Sequence, residues 1–423
     1  MGASSREPRE QLTSLEICAG AGGQAIGLEQ AGFRHLALVE YDKHAVDTLK
    51  TNMDREHGED APDVFGEDVL GFEPARKLKA LGGESLEPGQ LDLLAGGVPC
   101  PPFSKAGKQL GEDDDRDLFP RMLWLVSSLK PKAVMIENVR GIMDVKFETY
   151  RKSIADHLVD EGYRFCGWRI LEAHNYGVPQ LRPRSVLIAI QDEYCVKAGL
   201  EDGKFPWPTE MGGTRNTVFD ALQSSMEDRR KVLTQRFPKL ADRIDEAYAR
   251  WLERAQQNDT VAPTLVGGSR KHGGADLGPS RAKKQWESLG VNAHGVANEP
   301  AQSTDPERDF LRASGPMLTV RQAATIQGFP EDWKFEGGKT ARYRQVGNAF
   351  PPPVAKAIGL VIASVLRPEL KEALLDGVRT EYFGAQPEPG HFQTELELTP
   401  DPSDSSIGPS PTNDRNDLVG ADV

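Results

Sequence analysis

Short apolar runs alternate with stretches of helical periodicity along the first 190 residues. The apolar runs predict strands at 14–20, 35–42, 91–97, 133–139 and 185–190. Because these runs are continuous rather than alternating, we expect strands that are buried on both faces, as in a mostly parallel sheet covered by helices. The pattern therefore predicts an α/β fold with a doubly wound, Rossmann-like sheet, in which ligands bind beyond the carboxyl ends of the strands.

The periodicity changes after residue 191. Residues 191–317 are punctuated by glycine and proline and contain one amphipathic helix, predicted over about 228–256. Helical periodicity then returns. The chain is thus predicted to consist of a first domain at 13–190, a smaller, irregular second domain at 191–317, a return to the first domain at 318–375 and a disordered, acidic tail at 376–423.

The charge is unevenly distributed along the chain. The net charge of −13 argues against a nucleic-acid partner, but nine acids and one base lie between residue 381 and the end. By contrast, residues 264–286 carry one acid, Asp276, and a basic stripe formed by Arg270, Lys271, Arg281, Lys283 and Lys284. Such a stripe is suited to phosphate contacts, although a solvated run of charges has the same composition.

Other features bear on the location of the protein. The N-terminus is polar, without the apolar core of a signal peptide, and no apolar run is long enough for a membrane span. The four cysteines, Cys18, Cys100, Cys166 and Cys195, form no C-x-x-C pair, so neither a zinc site nor a disulfide framework is indicated. We therefore expect a cytoplasmic protein with no membrane association and no metal.

A glycine-rich segment, "CAGAGGQA", follows the first predicted strand. Gly20 and Gly22 allow the backbone to approach a ligand, and Glu40 at the end of the second strand can accept hydrogen bonds from ribose hydroxyls. This pattern indicates a nucleoside cofactor, either NAD or S-adenosylmethionine. Tyr41 could stack on the adenine or simply pack in the core. Asp68 could accept from the adenine amino group or cap a helix.

Two further strand ends carry reactive groups. In "GGVPCPPFS" the prolines restrict the backbone around Cys100, which suits a thiol that must be aimed, although a turn with a buried, inert cysteine is the alternative. Glu137 directly follows the apolar run "AVMI", where burial favours a protonated carboxyl. Arg182 and Arg184 lie at the start of the last strand and could bind phosphate or a carbonyl oxygen.

Taken together, these motifs closely resemble those of the cytosine-5 DNA methyltransferases, in the family's order from Leu15 to about Leu366. "GAGG", "EYD", "GGVPCPPFS", "DDRDLF", "ENV", "QLRPR" and "YRQVGNAFPPPVAKAIG" all have counterparts in that family. The resemblance implies S-adenosylmethionine as cofactor and double-stranded DNA as partner. It also implies a monomer of the bacterial modification type, with a companion restriction endonuclease as a further partner.

The resemblance also implies roles for individual residues. The implied cofactor-binding residues are Cys18, Ala19, Gly20, Gly22, Gly23, Glu40, Tyr41, Asp68, Val69, Pro99, Asn348 and Ala349. The implied DNA contacts are Ser104, Arg116 and the five residues of the basic stripe, with residues 191–317 as the target-recognition domain. Cys18 departs from the family's usual pattern, since an aromatic residue is common at that place, and Ala349 replaces a common hydroxyl.

The implied mechanism is covalent. The Cys100 thiolate attacks carbon 6 of a cytosine flipped out of the duplex, and carbon 5 then accepts the methyl group. Glu137 would bind the ring at N3 and the amino group, Arg184 would hold the ring oxygen, and Arg182 would support the surroundings of the thiol. The alternatives are an RNA methyltransferase with the same core, a NAD-dependent enzyme, or a DNA-binding protein without activity.

Overall fold

The structure, a computed structural model, describes residues 11–79, 85–99, 117–201, 204–213, 216–267 and 276–383. The described strands are β1 (Leu12–Ile17), β2 (Phe33–Glu40), β3 (Asp63–Gly66), β4 (Leu93–Gly96), β5 (Ala133–Val139), β6 (Tyr163–Glu172), β7 (Pro183–Gln191), β8 (Phe205–Met211) and β9 (Val378–Phe383). The described helices are α1 (Gly23–Gln30), α2 (Lys43–His57), α3 (Pro74–Lys77), α4 (Phe119–Leu129), α5 (Glu148–Asp160), α6 (Asp192–Lys197), α7 (Val218–Arg236), α8 (Ala241–Gln257), α9 (Ser280–Ser288), α10 (Pro306–Asp309), α11 (Val320–Gln327), α12 (Lys339–Asn348), α13 (Pro352–Leu366) and α14 (Lys371–Leu374).

Seven of the described strands form the central sheet, in the order β3-β2-β1-β4-β5-β7-β6. The pairs among β1 to β5 are parallel, whereas β7 runs antiparallel to both β5 and β6. The predicted α/β fold with a mostly parallel sheet is confirmed. The reversed direction of β7 was not predicted, and it brings the first residues of β7 to the carboxyl ends of β4 and β5.

Helices cover the sheet because its strands are apolar on both faces. Helices α1 and α13 pack closely on one face, where glycines remove the side chains that would separate them. A Cβ atom at Gly27 would collide with the carbonyl of Pro352, and one at Gly359 would lie 2.7 Å from the Cβ of Ala31. This contact anchors the C-terminal helices beside the cofactor loop that precedes α1.

One helical stretch in the described ranges, Lys339–Leu366, has the length and apolar composition of a membrane span. No apolar run of that length is expected from the sequence. In the fold, 83% of its most apolar 18-residue window is buried inside the protein, as is usual for the core helix of a globular domain.

The predicted helix at 228–256 is wrong in its extent, since the structure has two helices there. Helix α7 begins ten residues earlier, at a capping box between Thr217 and Asp220, and Pro238 separates α7 from α8. Buried residues of both helices, such as Met226 and Trp251, share a hydrophobic cluster with Leu49 of α2. All described residues belong to one compact unit. Residues 191–317 thus pack onto the first domain, and their role in target recognition stays a prediction.

The predicted start of the disordered tail at residue 376 is also wrong. Residues 378–383 form β9, which pairs antiparallel with β8. The acidic composition obscured a short strand in "VRTEYF", whose Phe383 ring lies 4.0 Å from the Arg169 guanidinium. Residues 384–423 lie outside the described part of the chain.

Candidate active site

A cleft of about 220 Å³, open to solvent, lies at the carboxyl ends of β1, β2 and β5. Seven of the predicted cofactor-binding residues line it, namely Cys18, Ala19, Gly20, Gly23, Glu40, Asn348 and Ala349. Glu137 lines the same cleft, so the structure brings a predicted catalytic residue and the predicted cofactor residues together. This is the location at which an open α/β sheet binds its ligands.

The loop between β1 and α1 forms one wall of the cleft. Gly20 and Gly22 have φ angles of +56° and +88°, and a Cβ at Gly20 would meet nothing within 4 Å. The backbone at Gly20 is therefore open to a ligand. Trp333 supports the other side of the loop, because its Nε1 donates to the carbonyl of Ala21 at 3.1 Å.

The carboxylate of Glu40 is held in place by backbone amides. Its Oε2 accepts from the N–H of Gly20 at 2.7 Å, and its Oε1 accepts from the N–H groups of Tyr41 and Asp42. Oε2 keeps a second lone pair that can accept from a ligand hydroxyl. Asp42 in turn caps α2 and pairs with Arg344 at 3.1 Å. The carboxylate is thus oriented before any ligand arrives.

Five other predicted cofactor residues, Gly22, Tyr41, Asp68, Val69 and Pro99, are not among the residues that line the cleft. Tyr41 is 73% exposed, which excludes the alternative that it packs in the core. Asp68 caps the one-turn helix Val69–Gly71 through the N–H of Leu70, the second of its two suggested roles. Contacts of these five residues with a cofactor stay predictions.

Glu137 and Arg184 form an ion pair at the same edge of the sheet. The distance from Arg184 Nε to Glu137 Oε1 is 2.9 Å, and both side chains are largely buried. Antiparallel pairing of β5 and β7 sets Val186 opposite Glu137 and Arg184 opposite Val139, which places the two charges side by side. Burial raises the pKa of Glu137, as the sequence predicted, and the positive charges of Arg184 and Arg182 partly offset that rise.

The chain approaches Cys100 directly beside this pair. A Cβ at Gly97 would lie 3.2 Å from Oε2 of Glu137, and the side-chain amide of Asn138 donates to the carbonyl of Val98 at 2.8 Å. Gly97 and Val98 therefore lie against the end of β5. Cys100 itself lies outside the described residues, as do Ser104, Arg116, Arg270 and Lys271.

Arg182 makes structural hydrogen bonds that the sequence did not predict, and its predicted support of the thiol stays a prediction because Cys100 lies outside the described residues. Arg182 is fully buried, and its guanidinium donates to the backbone carbonyls of Leu265, Gly347 and Ala349. It ties three distant segments of the chain together. We therefore assign Arg182 a structural role at the base of the cleft, while Arg184 forms the ion pair with Glu137.

The described part of the basic stripe lies on and beside α9. Trp286 anchors this helix in the core, whereas Arg281 and Lys284 are exposed. Lys283 pairs with Asp276 at 2.9 Å and is half-buried. Two cations of the stripe are thus available to a ligand on the surface, and the third is engaged within the protein.

The structure adds cleft residues that sequence reasoning missed, above all Glu16, Gln24 and Arg344. A signal for Glu16 was present in the sequence, since a charged residue within the apolar run "SLEICAG" is unusual in a buried strand. Arg344 and Gln24 carry no comparable signal, because polar residues are ordinary on helices.

A group of metal-ligating side chains occurs among the described residues, away from the cleft. One ligand atom each of Glu29, Glu56 and His57 lie within 4.8 Å of one another. His57 already pairs with Glu29, and Arg55 pairs with Glu56, each at 2.8 Å. The group is therefore explained as a set of ion pairs at the ends of α1 and α2.

The sequence of the chain matches a known protein family and is similar to individual proteins of known type. The family model for "C-5 cytosine-specific DNA methylase" matches residues 12–364. The chain is 45% identical to the type II methyltransferase M.NaeI of Lentzea aerocolonigenes, over 92% of this chain and 84% of that protein. It is 42% identical to the type II methyltransferase M.NgoMIV of Neisseria gonorrhoeae, over 85% of this chain and 99% of that protein.

Solved structures show the same fold at lower sequence identity. A prophage-encoded DNA modification methyltransferase from E. coli aligns with a TM-score of 0.54 and 22% identity, over 84% of this chain and 99% of that one. A DNMT2 variant from Spodoptera frugiperda aligns with a TM-score of 0.53 and 15% identity, over 83% of this chain and 99% of that one.

Proposed function

Since the chain belongs to the C-5 cytosine-specific DNA methylases and is therefore a DNA methyltransferase, we propose that it methylates carbon 5 of a cytosine within a specific double-stranded sequence. The two relatives above are type II methyltransferases, which supports a modification enzyme with a companion restriction endonuclease. The observation that carries the proposal is the Glu137–Arg184 pair, whose Glu137 lines the cleft at the edge where the chain runs to Cys100.

The chemistry proposed for this edge is nucleophilic addition. Carbon 5 of cytosine is a poor nucleophile until a thiolate adds to carbon 6. Glu137 in its protonated form donates to N3 of the ring and so stabilises the negative charge that the addition creates. Arg184 lies beside that carboxyl and can donate to the ring oxygen. Carbon 5 then forms the bond to the methyl group of the donor. Once carbon 5 has lost its proton to solvent, the bond between sulfur and carbon 6 breaks, the thiolate is expelled and the methylated base is free.

The described cysteines are unsuitable as nucleophiles, which supports Cys100 in that role. Burial and the nearby carboxylates raise the pKa of Cys18 to about 12, so that its thiol stays protonated at neutral pH. Cys166 and Cys195 are fully buried away from the cleft. Cys100, which follows β4 in the chain, is the remaining cysteine of the four.

The cleft residues suit S-adenosylmethionine as the methyl donor, which supplies the methyl group as an electrophile when it is bound. Glu40, held by three amides, can accept from ribose hydroxyls, and the open backbone at Gly20 allows close approach. Asn348 and Ala349 form the opposite wall, which Arg182 braces from below. The exposed ring of Tyr41 is free to stack on an adenine.

The target base must leave the duplex to reach this buried edge, because carbon 6 is not accessible within the base stack. The exposed Arg281 and Lys284 are suited to phosphate contacts, which position a duplex without reading its sequence. Residues 191–317 would supply the base contacts.

The test is a methyl-transfer assay with labelled S-adenosylmethionine and either duplex DNA or tRNA. We expect label in DNA only, no transfer by Cys100→Ala, and a rate about 10²–10⁴-fold lower for Glu137→Gln. Both variants should bind the cofactor normally, and the exposed Glu59→Gln is the matched control. Transfer to tRNA alone would support the RNA alternative, and undiminished transfer by Cys100→Ala would overturn the covalent mechanism.

A further inference from the structure

A second cavity lies outside the cleft. It is a groove of about 700 Å³, lined by residues of α7 and α11 and by residues 330–335, together with Arg55, residues 299–301 and Arg342. We call it the α11 groove. It is larger than the cleft, which has about 220 Å³, and no residue lines both. Cavities of this size hold small organic ligands in proteins, so the α11 groove is a candidate for a second binding site.

The walls of the α11 groove are largely apolar. Helix α11 contributes Val320 and Ala324, and α7 contributes Val232. The segment 330–335 adds the rings of Trp333 and Phe335. Because a concave apolar surface gains free energy when it is removed from water, these walls favour a ligand with a hydrocarbon or aromatic body.

Charged side chains also line the groove, and several of them are engaged within the protein. Arg55 pairs with Asp332 at 3.1 Å. The carboxylate of Glu299 accepts from the backbone N–H of Arg321 at 3.2 Å, and the guanidinium of Arg321 donates to the carbonyl of Glu331 at 3.3 Å. The cations outnumber the carboxylates by one, since the groove is lined by Arg55, Arg321, Lys334 and Arg342 and by Glu299, Glu331 and Asp332.

Arg342 of α12 determines the sign of the ligand. Its side chain is half-buried, and no acceptor in the described part of the chain reaches its buried Nε. Asp332, the carboxylate of the groove that forms an ion pair, forms it with Arg55. A guanidinium has five N–H donors and no acceptor, so it is best satisfied by an anionic group. Beside apolar walls, where water screens charge less, a ligand with one negative charge is favoured over a neutral or cationic one.

Trp333 connects the α11 groove to the loop between β1 and α1. Its Nε1 donates to the carbonyl of Ala21 at 3.1 Å, and a Cβ at Gly22 would lie 2.8 Å from its Cζ2. The segment around Trp333 is held on α2, because Asn52 accepts from the N–H of Lys334 and donates to the carbonyl of the same residue. A ligand that packs on the indole from the groove restrains Trp333, and through Trp333 it restrains the loop that lines the cleft.

We propose that the α11 groove binds a small carboxylate with an apolar body. The body packs on Ala324 and Trp333, and the carboxylate accepts from the guanidinium of Arg342. Occupancy of the groove strengthens cofactor binding through Trp333, and by linkage the cofactor strengthens binding of the carboxylate by the same factor. The binding in the groove is independent of the proposed function, whereas the coupling rests on it, because the coupling requires S-adenosylmethionine in the cleft.

The first test is titration calorimetry of the full chain with octanoate. Octylammonium and octanol are the matched ligands, since they keep the alkyl chain without the negative charge. We expect octanoate to bind about tenfold more tightly than either. Arg342→Met should lose this preference and still bind octanol, Arg342→Lys should keep most of it, and the exposed Arg281→Met should match the wild type. Equal affinity of the wild type for all three ligands, or undiminished octanoate binding by Arg342→Met, would overturn the site.

The second test measures binding of S-adenosylhomocysteine with and without saturating octanoate. We expect about fivefold tighter binding with octanoate. Trp333→Phe should abolish this difference, because the ring loses its N–H to Ala21, but should still bind octanoate. Unchanged affinity of the wild type would overturn the coupling. If S-adenosylhomocysteine does not bind at all, the cofactor assignment of the proposed function fails, and the octanoate titration still decides whether the groove is a site.

Discussion

Gln24 and Gln327 are both buried glutamines, yet their surroundings differ completely. Gln327 lies at the base of the cleft, where its Oε1 accepts from Gln180 at 2.6 Å and its Nε2 donates to the carbonyl of Ala349. Gln180 also bonds to the backbone of Leu265 and Ile326. Gln24, on the wall of the cleft, has no partner among the described residues for either side-chain atom.

The difference separates structural polar groups from those kept for a ligand. We call Gln180, Arg182 and Gln327 the buried hub, because their hydrogen bonds join the segment directly before β7, the segment before residue 267, and the C-terminal helices. The hub should therefore contribute to stability. Gln24 should cost stability in the empty protein and contribute to binding, because its desolvation is not compensated.

Among the changes that test this comparison, Arg182→Met in the buried hub should have the largest effect on stability. The variant removes the donor from three buried carbonyls and should lower the free energy of unfolding by about 3–5 kcal/mol. Urea denaturation measures this loss. The exposed Arg281→Met should change stability by less than about 0.5 kcal/mol. A fully stable Arg182→Met would show that the hub is not structural.

His35 is a second buried group whose polar atoms are hydrogen-bonded. Low pH should destabilise the protein through His35, by somewhat less than the loss expected for Arg182→Met. Its Nε2 donates to the carbonyl of Ala25 and its Nδ1 accepts from the Ser14 hydroxyl, so the buried ring is neutral. Burial lowers the pKa of His35 to about 4, from an ordinary value of 6.5.

Below pH 6.5 the His35 imidazole therefore binds a proton in the unfolded chain but not in the folded chain. The free energy of unfolding consequently decreases as the pH falls towards 4. His35 alone should contribute a loss of about 3 kcal/mol over that range, measured by urea denaturation at each pH. His157→Gln should leave the loss unchanged. An imidazole titration by NMR that puts the pKa of His35 near its ordinary value would contradict this.

The smallest effect is expected where the hub and the cleft meet. Gly267 contacts Gly347, and a Cβ at Gly267 would collide with Oδ1 of Asn348, which lines the cleft. Gly267→Ala should therefore displace Asn348 and weaken cofactor binding about fivefold, a change of about 1 kcal/mol. Gly141→Ala, where a Cβ meets nothing within 4 Å, is the control for calorimetric binding. If both variants bind the cofactor with equal affinity, Asn348 does not contribute to cofactor binding.

The sequence was most informative where local pattern and chemistry coincide. The apolar runs predicted the sheet, and the residues at the strand ends, Glu40 and Glu137, lie together at one edge as expected. The direction of β7 and the task of Arg182 depend on pairing between distant segments, which no local pattern records. The charged residue within an apolar run marks Glu16 as unusual, but its burial beside two other carboxyls depends on the order of the strands and could not be predicted.

The central claim is that the Cys100 thiol bonds covalently to a cytosine at the edge built by β4, β5 and β7. A duplex with 5-fluorocytosine at the methylated position tests it, because fluorine cannot leave as the proton does and the adduct is trapped. With S-adenosylmethionine present, we predict an irreversible complex whose peptide map places the DNA on Cys100. Attachment through another residue, or no trapped complex from protein that methylates the ordinary duplex, would contradict the account.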